Sequence, residues 1–333
     1  MRAEDHALFG RLLDGAKTLV LTSHVNPDGD SIGSELGLGR FLLARGHAVR
    51  IVNQDPTPEV FRFVEGDGIA VEPYVPETHD AVLAGADLMV LVDNSASDRL
   101  GEMESPLRAR ADRVLCIDHH PTLRTPWAWS ILDEGSCATA AIVYELITTA
   151  GFPLDRRIAE ALYLGLATDT GFFRFNSTSP RAHDIAAALL RAGADPARSY
   201  QEVYERNSVA YTRFLGHALA GLRLDAGGAV ASIRITRALV EECQGAGVDT
   251  SEMITSVLAI DGVRLAVLFR ELPDGRIKVS LRSKGDLDVH QLAAEFGGGG
   301  HRNASGIVLA GALEEVSDRI IGRASVLLAQ SRG

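Results

Sequence analysis

Three short apolar runs in this chain each stop at a group of carboxylates and imidazoles. Thr18–Ser23 leads into His24-Val25-Asn26-Pro27-Asp28-Gly29-Asp30, Asp87–Val92 ends at Asp93, and Arg113–Ile117 ends at Asp118-His119-His120. The runs have strand length and are apolar almost throughout rather than alternating, the mark of strands buried on both faces. A helical pattern over residues 32–46 follows the first of them. Strands separated by helices predict an α/β fold built on a parallel sheet with helices on both faces. The carboxyl ends of such strands share one edge of the sheet, where ligands bind. A lone Asp-Gly-Asp in a Pro/Gly turn is compatible with an ordinary solvated turn. Its recurrence at three strand ends points to a site.

The remaining pattern divides the chain. Residues 5–16 read as an amphipathic helix, 49–52 as a further strand, and 54–80 as a Pro- and Gly-rich stretch of short segments. A loop is expected over 121–136, then helices over 138–149, 156–167, 180–192 and 196–221, the last broken near Asn207-Ser208. From about residue 222 the texture changes. Strands are expected at 228–235, 263–269 and 276–282, the last two joined by the hairpin signal Pro273-Asp274-Gly275, with helices at 236–243, 251–260, 288–296 and 313–330. The expected organisation is a first domain over 1–192, a helical connector over 193–221 and a smaller α+β domain over 222–333. At 333 residues the length suits two domains.

If the three strand ends meet, His24, Asp28, Asp30, Asp93, Asp118, His119 and His120 crowd into one crevice. Carboxylates a few ångströms apart repel, and one must take up a proton unless a cation intervenes. A pair of divalent ions resolves the conflict. The donors are carboxylates and imidazoles without thiolate, a set that suits Mn²⁺ ahead of Mg²⁺, Co²⁺ or Zn²⁺. Asp169, at the end of the 156–167 helix and just before Thr170-Gly171, stands where the helix dipole disfavours an anion, so a counter-charge is expected beside it. His119 and His120 are adjacent, and in extended chain they point to opposite sides, leaving one as ligand and the other free to face substrate. Asp118 can orient a ligand histidine by hydrogen bonding.

A second motif is Gly297-Gly298-Gly299-Gly300-His301-Arg302-Asn303. Glycines let backbone N–H groups approach a phosphate or base closely, and the residues that follow supply donors for an anion. A flexible loop is the competing reading. Ser280 and Arg282 alternate onto one face of the expected 276–282 strand, with phosphate contact and a surface ion pair equally open for Arg282. Phe172, Phe173 and Phe175 stand close to Asp169, either to stack on a base or to fill the core.

The net charge of −11, from 44 acidic and 33 basic residues, disfavours tight binding of long duplex nucleic acid. It leaves room for a small phosphorylated substrate at a metal site. Three widely spaced cysteines suggest a reducing compartment rather than a disulfide framework. No basic stretch with an apolar segment opens the sequence, and no apolar run approaches the ~18 residues of a membrane span. A cytoplasmic protein is expected. The apolar helices over 138–167 could be core or the face of a homodimer.

Taken in order, HxNPDGDxxGS at 24–34, Asp93, DHH at 118–120, ATDTG at 167–171 and GGGGHxNAxG at 297–306 resemble the DHH phosphoesterase superfamily with its DHH-associated C-terminal domain. The compact bacterial and archaeal nanoRNase and pAp-phosphatase group is the nearest in layout. The resemblance implies two divalent ions in a cleft between two domains. His24, Asp28 and Asp93 would hold one ion. Asp30, Asp93, His119 and Asp169 would hold the other. His120 would contact the scissile phosphate, with Asp118 beside it in the catalytic group. Arg282, Gly298, Gly299, Gly300, His301 and Asn303 would grip the substrate. The implied activity is hydrolysis of short oligoribonucleotides, of 3′-phosphoadenosine 5′-phosphate, or of both, through a metal-bridging hydroxide. A cyclic or linear di-adenylate phosphodiesterase and a non-catalytic nucleotide sensor are the alternatives.

Overall fold

The computed structural model describes residues 2–66, 68–121, 125–243 and 253–330. The chain forms two units, Met1–Arg206 and Asn207–Gly333.

The first unit is built on β1 (Thr18–Thr22), β2 (Ala48–Asn53), β3 (Val71–Pro73), β4 (Leu88–Val92), β5 (Val114–Asp118) and β6 (Trp129–Leu132). All pairings are parallel, in the order β3-β2-β1-β4-β5-β6. The order reverses between β1 and β4, so connections leave in opposite directions there and open a crevice at the strand ends. The helices are α1 (Ala3–Asp14), α2 (Gly29–Ala44), α3 (Pro76–Gly85), α4 (Glu104–Arg108), α5 (Thr139–Thr149), α6 (Arg156–Asp169), α7 (Pro180–Arg191) and α8 (Pro196–Tyr204).

Strand alternation explains the unbroken apolar runs. Leu19, Leu21, Val90, Val92, Leu115 and Ile117 pack with residues of α1, α2, α5 and α6. Val20, Met89, Leu91, Val114 and Cys116 pack with Leu83 of α3 and Leu107 of α4. Both faces of the sheet are therefore buried, and the α/β reading of the sequence is observed.

The backbones of α2 and α6 approach closely. A Cβ at Gly33 would meet the Ala161 carbonyl oxygen and, at 2.8 Å, the Gly165 nitrogen. A glycine is required there for steric reasons alone. Gly29 faces Thr168 and Gly37 faces Leu162, so the helices run antiparallel. The first turn of α2 and the last turn of α6 consequently share one end.

Three local expectations are revised. Helix α2 begins at Gly29, not at 32, because Asp28 caps it, its Oδ1 accepting from Asp30 N and Ser31 N at 3.0 Å each. Asp30 and Ser31 thus belong to a helix turn. The loop expected over 121–136 contains β6, an edge strand whose pairing with β5 supplies what its short sequence does not signal; residues 122–124 lie outside the described residues. The stretch over 54–80 contains β3 and the start of α3, whose Pro76 occupies the first turn, where no N–H is needed.

The second unit comprises α9 (Val209–Ala220), β7 (Arg223–Asp225), β8 (Val230–Ile235), α10 (Arg237–Glu242), α11 (Met253–Leu258), β9 (Leu265–Glu271), β10 (Ile277–Ser283), α12 (Val289–Glu295), β11 (Gly299–His301), β12 (Ala304–Leu309) and α13 (Leu313–Gln330). Its sheet has the order β11-β12-β10-β9-β8-β7, with β8 and β9 parallel and the other pairs antiparallel. Phe214, Met253, Ile254 and Val257 cover one face, and Leu292, Val316, Ile320 and Ala324 cover the other. The helical stretch expected over 193–221 is α8 in the first unit and α9 in the second. Residues 251 and 252 of the expected 251–260 helix lie outside the described residues. Among the described residues, no helix is long and apolar enough to cross a membrane.

Candidate metal centre

The loop after β1 carries His24, which is buried. Its Nδ1 lies 2.8 Å from the Val25 carbonyl oxygen, so Nδ1–H donates there and Nε2 keeps its lone pair. Nε2 stands 3.5 Å from Asp93 Oδ2 and 3.8 Å from Asp28 Oδ2. His119 repeats this arrangement. Its Nδ1 lies 3.3 Å from the Ser136 carbonyl oxygen. Its Nε2 is 3.4 Å from Asp169 Oδ2, 3.6 Å from Asp93 Oδ1 and 3.8 Å from Asp30 Oδ2. That Nε2 is buried and has no hydrogen-bond partner among the described residues.

His24 Nε2 also lies 2.9 Å from Ser31 Oγ, whereas His119 Nε2 faces carboxylate oxygens alone, acceptor against acceptor, among the described residues. Such a cluster is repulsive unless a cation sits within it. Among the described residues, three groups have donor atoms within 4.8 Å of one another: His24/Asp28/Asp93, Asp30/His119/Asp169 and Asp93/His119/His120. Asp93 belongs to two of them, and its Oδ1 is also 3.6 Å from His119 Nε2. The donors are carboxylate oxygens and imidazole nitrogens, which fit a hard-to-borderline divalent ion.

The backbone and its neighbours hold these groups in place. Asp93 follows β4 with φ of 58°, a left-handed conformation that is costly for a residue with a Cβ and is retained mainly where surroundings impose it. Its Oδ2 accepts from Ser31 Oγ at 2.9 Å and its Oδ1 from Thr139 Oγ1 at 3.1 Å. Asp30 is buried at the start of α2 and points at the amino end of α5. It accepts from Thr139 N at 2.6 Å and Ala140 N at 2.8 Å. Burial raises the Asp30 carboxyl well above its ordinary range, and the charges of Asp93 and Asp169 push the same way. Asp169, the last residue of α6, is raised to about 6 by burial, opposed by His119. Burial is the larger cause in both, and neighbouring carboxylates add to it.

Asp118 ends β5 and is fully buried. Its Oδ1 accepts from His120 N at 3.1 Å and from His120 Nδ1 at 2.8 Å. That hydrogen bond raises His120 to about 9 against the opposing effect of burial. Burial raises the Asp118 carboxyl, but the bonds from His120 outweigh it and leave the group lowered. His120 keeps 46% side-chain exposure. The two imidazoles do not point to opposite sides. Their centroids are 4.4 Å apart, and His119 Nε2 and His120 Nδ1 each lie 3.6 Å from Asp93 Oδ1. Strand alternation stops at Asp118, so both rings turn toward the same carboxylate.

Ser31 and Thr139, which position Asp93, and the α5 amino end, which receives Asp30, were not singled out from the sequence. The one available signal was a helix start predicted near Ala138.

In the second unit, Ser280 and Arg282 share the less buried face of β10. Arg282 Nη1 donates to the Leu281 carbonyl at 3.1 Å. Gly299 and Gly300 are strand residues paired with β12, not a free loop. A Cβ at Gly298 would meet the Gly306 carbonyl oxygen and one at Gly300 would meet Ser305 Cα at 2.7 Å, so hairpin packing already requires both glycines. Asn303 Nδ2 lies 2.9 Å from Ser283 Oγ and 3.0 Å from the Gly285 carbonyl, tying the turn after β10 to this hairpin. His301 is placed by its backbone as the last residue of β11; its side chain lies outside the described atoms.

Residues 18–166 match the DHH family, N-terminal domain, and residues 236–325 match the DHHA1 domain. The chain is 32% identical over 304 residues to a bifunctional oligoribonuclease and PAP phosphatase of Thermus thermophilus, covering 91% of this chain and 88% of that protein. It is 28% identical to the protein of the same description from Bacillus subtilis, covering 87% and 88%. The crystal structure of an exopolyphosphatase-related protein from Bacteroides fragilis superposes with a TM-score of 0.90 at 31% identity, covering 98% of each chain.

Proposed function

Because this chain belongs to the DHH family, we propose that it is a metal-dependent phosphoesterase hydrolysing short oligoribonucleotides, 3′-phosphoadenosine 5′-phosphate, or both. One observation carries the reading. The Nε2 atoms of His24 and His119 meet Asp28, Asp30, Asp93 and Asp169 in contiguous groups of imidazole and carboxylate donors that suit divalent cations. Relatives of full length that carry both substrate names support the substrate class.

His24, Asp28 and Asp93 would hold one ion, and Asp30, Asp93, His119 and Asp169 a second. Mn²⁺ is the proposed occupant from the donor set. When bound, the ions supply Lewis acidity toward a phosphoryl oxygen and lower the pKa of water. The chain's own residues do the remainder. Asp118 holds the His120 imidazole by Nδ1, leaving Nε2–H as the group that faces outward. The bond to Asp118 favours the charged ring, raising it to about 9, and the imidazolium suits two tasks. It stabilises negative charge building on a phosphoryl oxygen, and it delivers the Nε2 proton to the departing oxygen as the P–O bond breaks. The Ser31 and Thr139 hydroxyls keep Asp93 in one orientation throughout. Arg282, with Gly298, Gly299, Gly300, His301 and Asn303, is proposed to contribute substrate contacts from the second unit.

The test is incubation of the purified protein with Mn²⁺ and three substrates: 5′-labelled di- to pentaribonucleotides, 3′-phosphoadenosine 5′-phosphate, and pyrophosphate. Mononucleotides from the short RNAs, or phosphate from the bisphosphate, are expected. Release from pyrophosphate alone would refute the proposed substrate class. Metal and nucleotide binding without any hydrolysis would make the chain a sensor.

A further inference from the structure

The turn that follows Asp169 is built in an unusual way. Gly171, Phe172 and Phe173 have φ of 59°, 53° and 67°. Three consecutive left-handed residues are disfavoured, and two of these carry bulky side chains. Such strain persists where surrounding packing over-determines it, and here the packing is visible. The Phe172 ring is 5.2 Å from that of Tyr200 and 5.3 Å from that of Tyr204. Phe173 stacks on His183 at 5.2 Å and lies 6.2 Å from Tyr163. Both rings pack against the apolar core of the first unit. They anchor the turn.

Phe175 behaves differently. It remains 49% exposed. Its ring tip rests on Gly171, where a Cβ would meet Cε1 and Cζ at 2.6 Å and Cε2 at 2.7 Å. The Arg174 guanidinium lies over the ring, 5.3 Å from its centroid. Gly171 is therefore demanded twice, by its positive φ and by the seat of this ring. The first two phenylalanines spend burial and tolerate strain, and the result is a third ring held fixed but open to solvent. Gly171 stands two residues from Asp169, no more than about 7.6 Å along the chain. The ring is thus seated on the turn that directly follows Asp169.

We propose that Phe175, backed by Arg174, is the platform on which a nucleobase of the substrate stacks, one nucleoside away from the phosphate being cleaved. This rests on the phosphoesterase reading and adds to it a residue that selects nucleosides over base-free phosphates. Aromatic rings and arginine planes are the usual surfaces for unpaired bases, and they tolerate any base because each has a π-face.

The experiment compares the full chain with its Phe175→Ala and Phe175→Trp variants on diadenylate and on the same dinucleotide with both bases removed. Phe175→Ala is expected to raise KM for diadenylate roughly 5- to 150-fold, the range of a lost base–aromatic stack. Its kcat should stay within about twofold, and KM for the base-free compound should not change. Phe175→Trp should restore the diadenylate KM. In parallel, adenosine 5′-monophosphate with Mg²⁺ should quench the Phe175→Trp variant beyond any quenching of wild type. Equal effects of Phe175→Ala on the two substrates, no effect on either, or no added quenching would overturn the platform. If wild type cleaves neither substrate, the proposed reaction fails. Added quenching would then still support stacking at Phe175, and its absence would remove the platform as well.

Discussion

Glu35 lies in the second turn of α2 and has no exposed surface. Its Oε2 accepts from Asn53 Nδ2 at 2.9 Å, while Oε1 is buried without a hydrogen-bond partner among the described residues. Burial pushes the carboxyl from 4.5 to about 8. In the unfolded chain it returns to its ordinary value. Between those limits the folded protein binds a proton that the unfolded chain has released. The contribution of Glu35 to stability is therefore fully present below pH 4.5 and falls as pH rises toward about 8. The interval from 4.5 to 8 is about 3.5 pH units, and at about 1.4 kcal/mol per unit it amounts to roughly 5 kcal/mol. Glu35→Gln keeps the shape, offers Asn53 the same acceptor and cannot ionise. The assay is urea unfolding of wild type and variant in chelator at pH 5 to 8, followed by tryptophan fluorescence. Both tryptophans, Trp127 and Trp129, belong to the first unit, so the signal reports the unit that contains Glu35. The two proteins should agree within about 1 kcal/mol at pH 5, and the variant should lead by several kcal/mol at pH 8. Parallel curves across that range would refute the argument that Glu35 is held protonated by burial.

Mn²⁺ added to chelator-treated protein at a hundredfold its Kd should stabilise the first unit by about 2.7 kcal/mol. Asp93→Asn should abolish that shift and the turnover while leaving the far-ultraviolet circular dichroism unchanged; a variant retaining most activity would sink the assignment of Asp93. Thr139→Val removes the hydroxyl that orients Asp93 but keeps the backbone N–H on Asp30, and a loss of about 10- to 100-fold in Mn²⁺ affinity is expected by isothermal titration. Gly165→Ala would place a Cβ 2.7 Å from Ala140 Cβ and 2.9 Å from Asp30 Oδ1. It should cost about 1–3 kcal/mol by urea unfolding and weaken metal binding. Gly10→Ala, with nothing within 4 Å, should instead stabilise α1 by up to about 1 kcal/mol in the same assay.

Much of the first unit is legible along the chain because its information is local. Apolar runs of strand length, interrupted by helical periods, identify a sheet covered on both faces. The polar residues at the ends of β1, β4 and β5 could be grouped in advance because parallel strands share an edge. The two-residue alternation of Ser280 and Arg282 on β10 is equally local. The glycine run was ambiguous for a related reason. A glycine records that space or torsion is needed but not by what, and at Gly298 and Gly300 the neighbours are Gly306 and Ser305 of the adjoining strand.

What sequence alone determined was therefore the central strands of the sheet, the polar turn after β1, and the chemical character of a metal-seeking edge. Tertiary structure decided the distances. Thr139 meets Asp30 across 109 residues and Asp93 across 46, and no periodicity encodes such a meeting. It follows from the packing of the amino end of α5 against the first turn of α2, where Thr139 N and Ala140 N donate to Asp30. The folded chain likewise separated three neighbouring phenylalanines into two core anchors and one exposed ring. The physical reason is common to both. Hydrogen-bonding geometry and hydrophobic periodicity act over a few residues and repeat, whereas the position of a side chain in a site depends on packing between segments remote in sequence, which has no period to read.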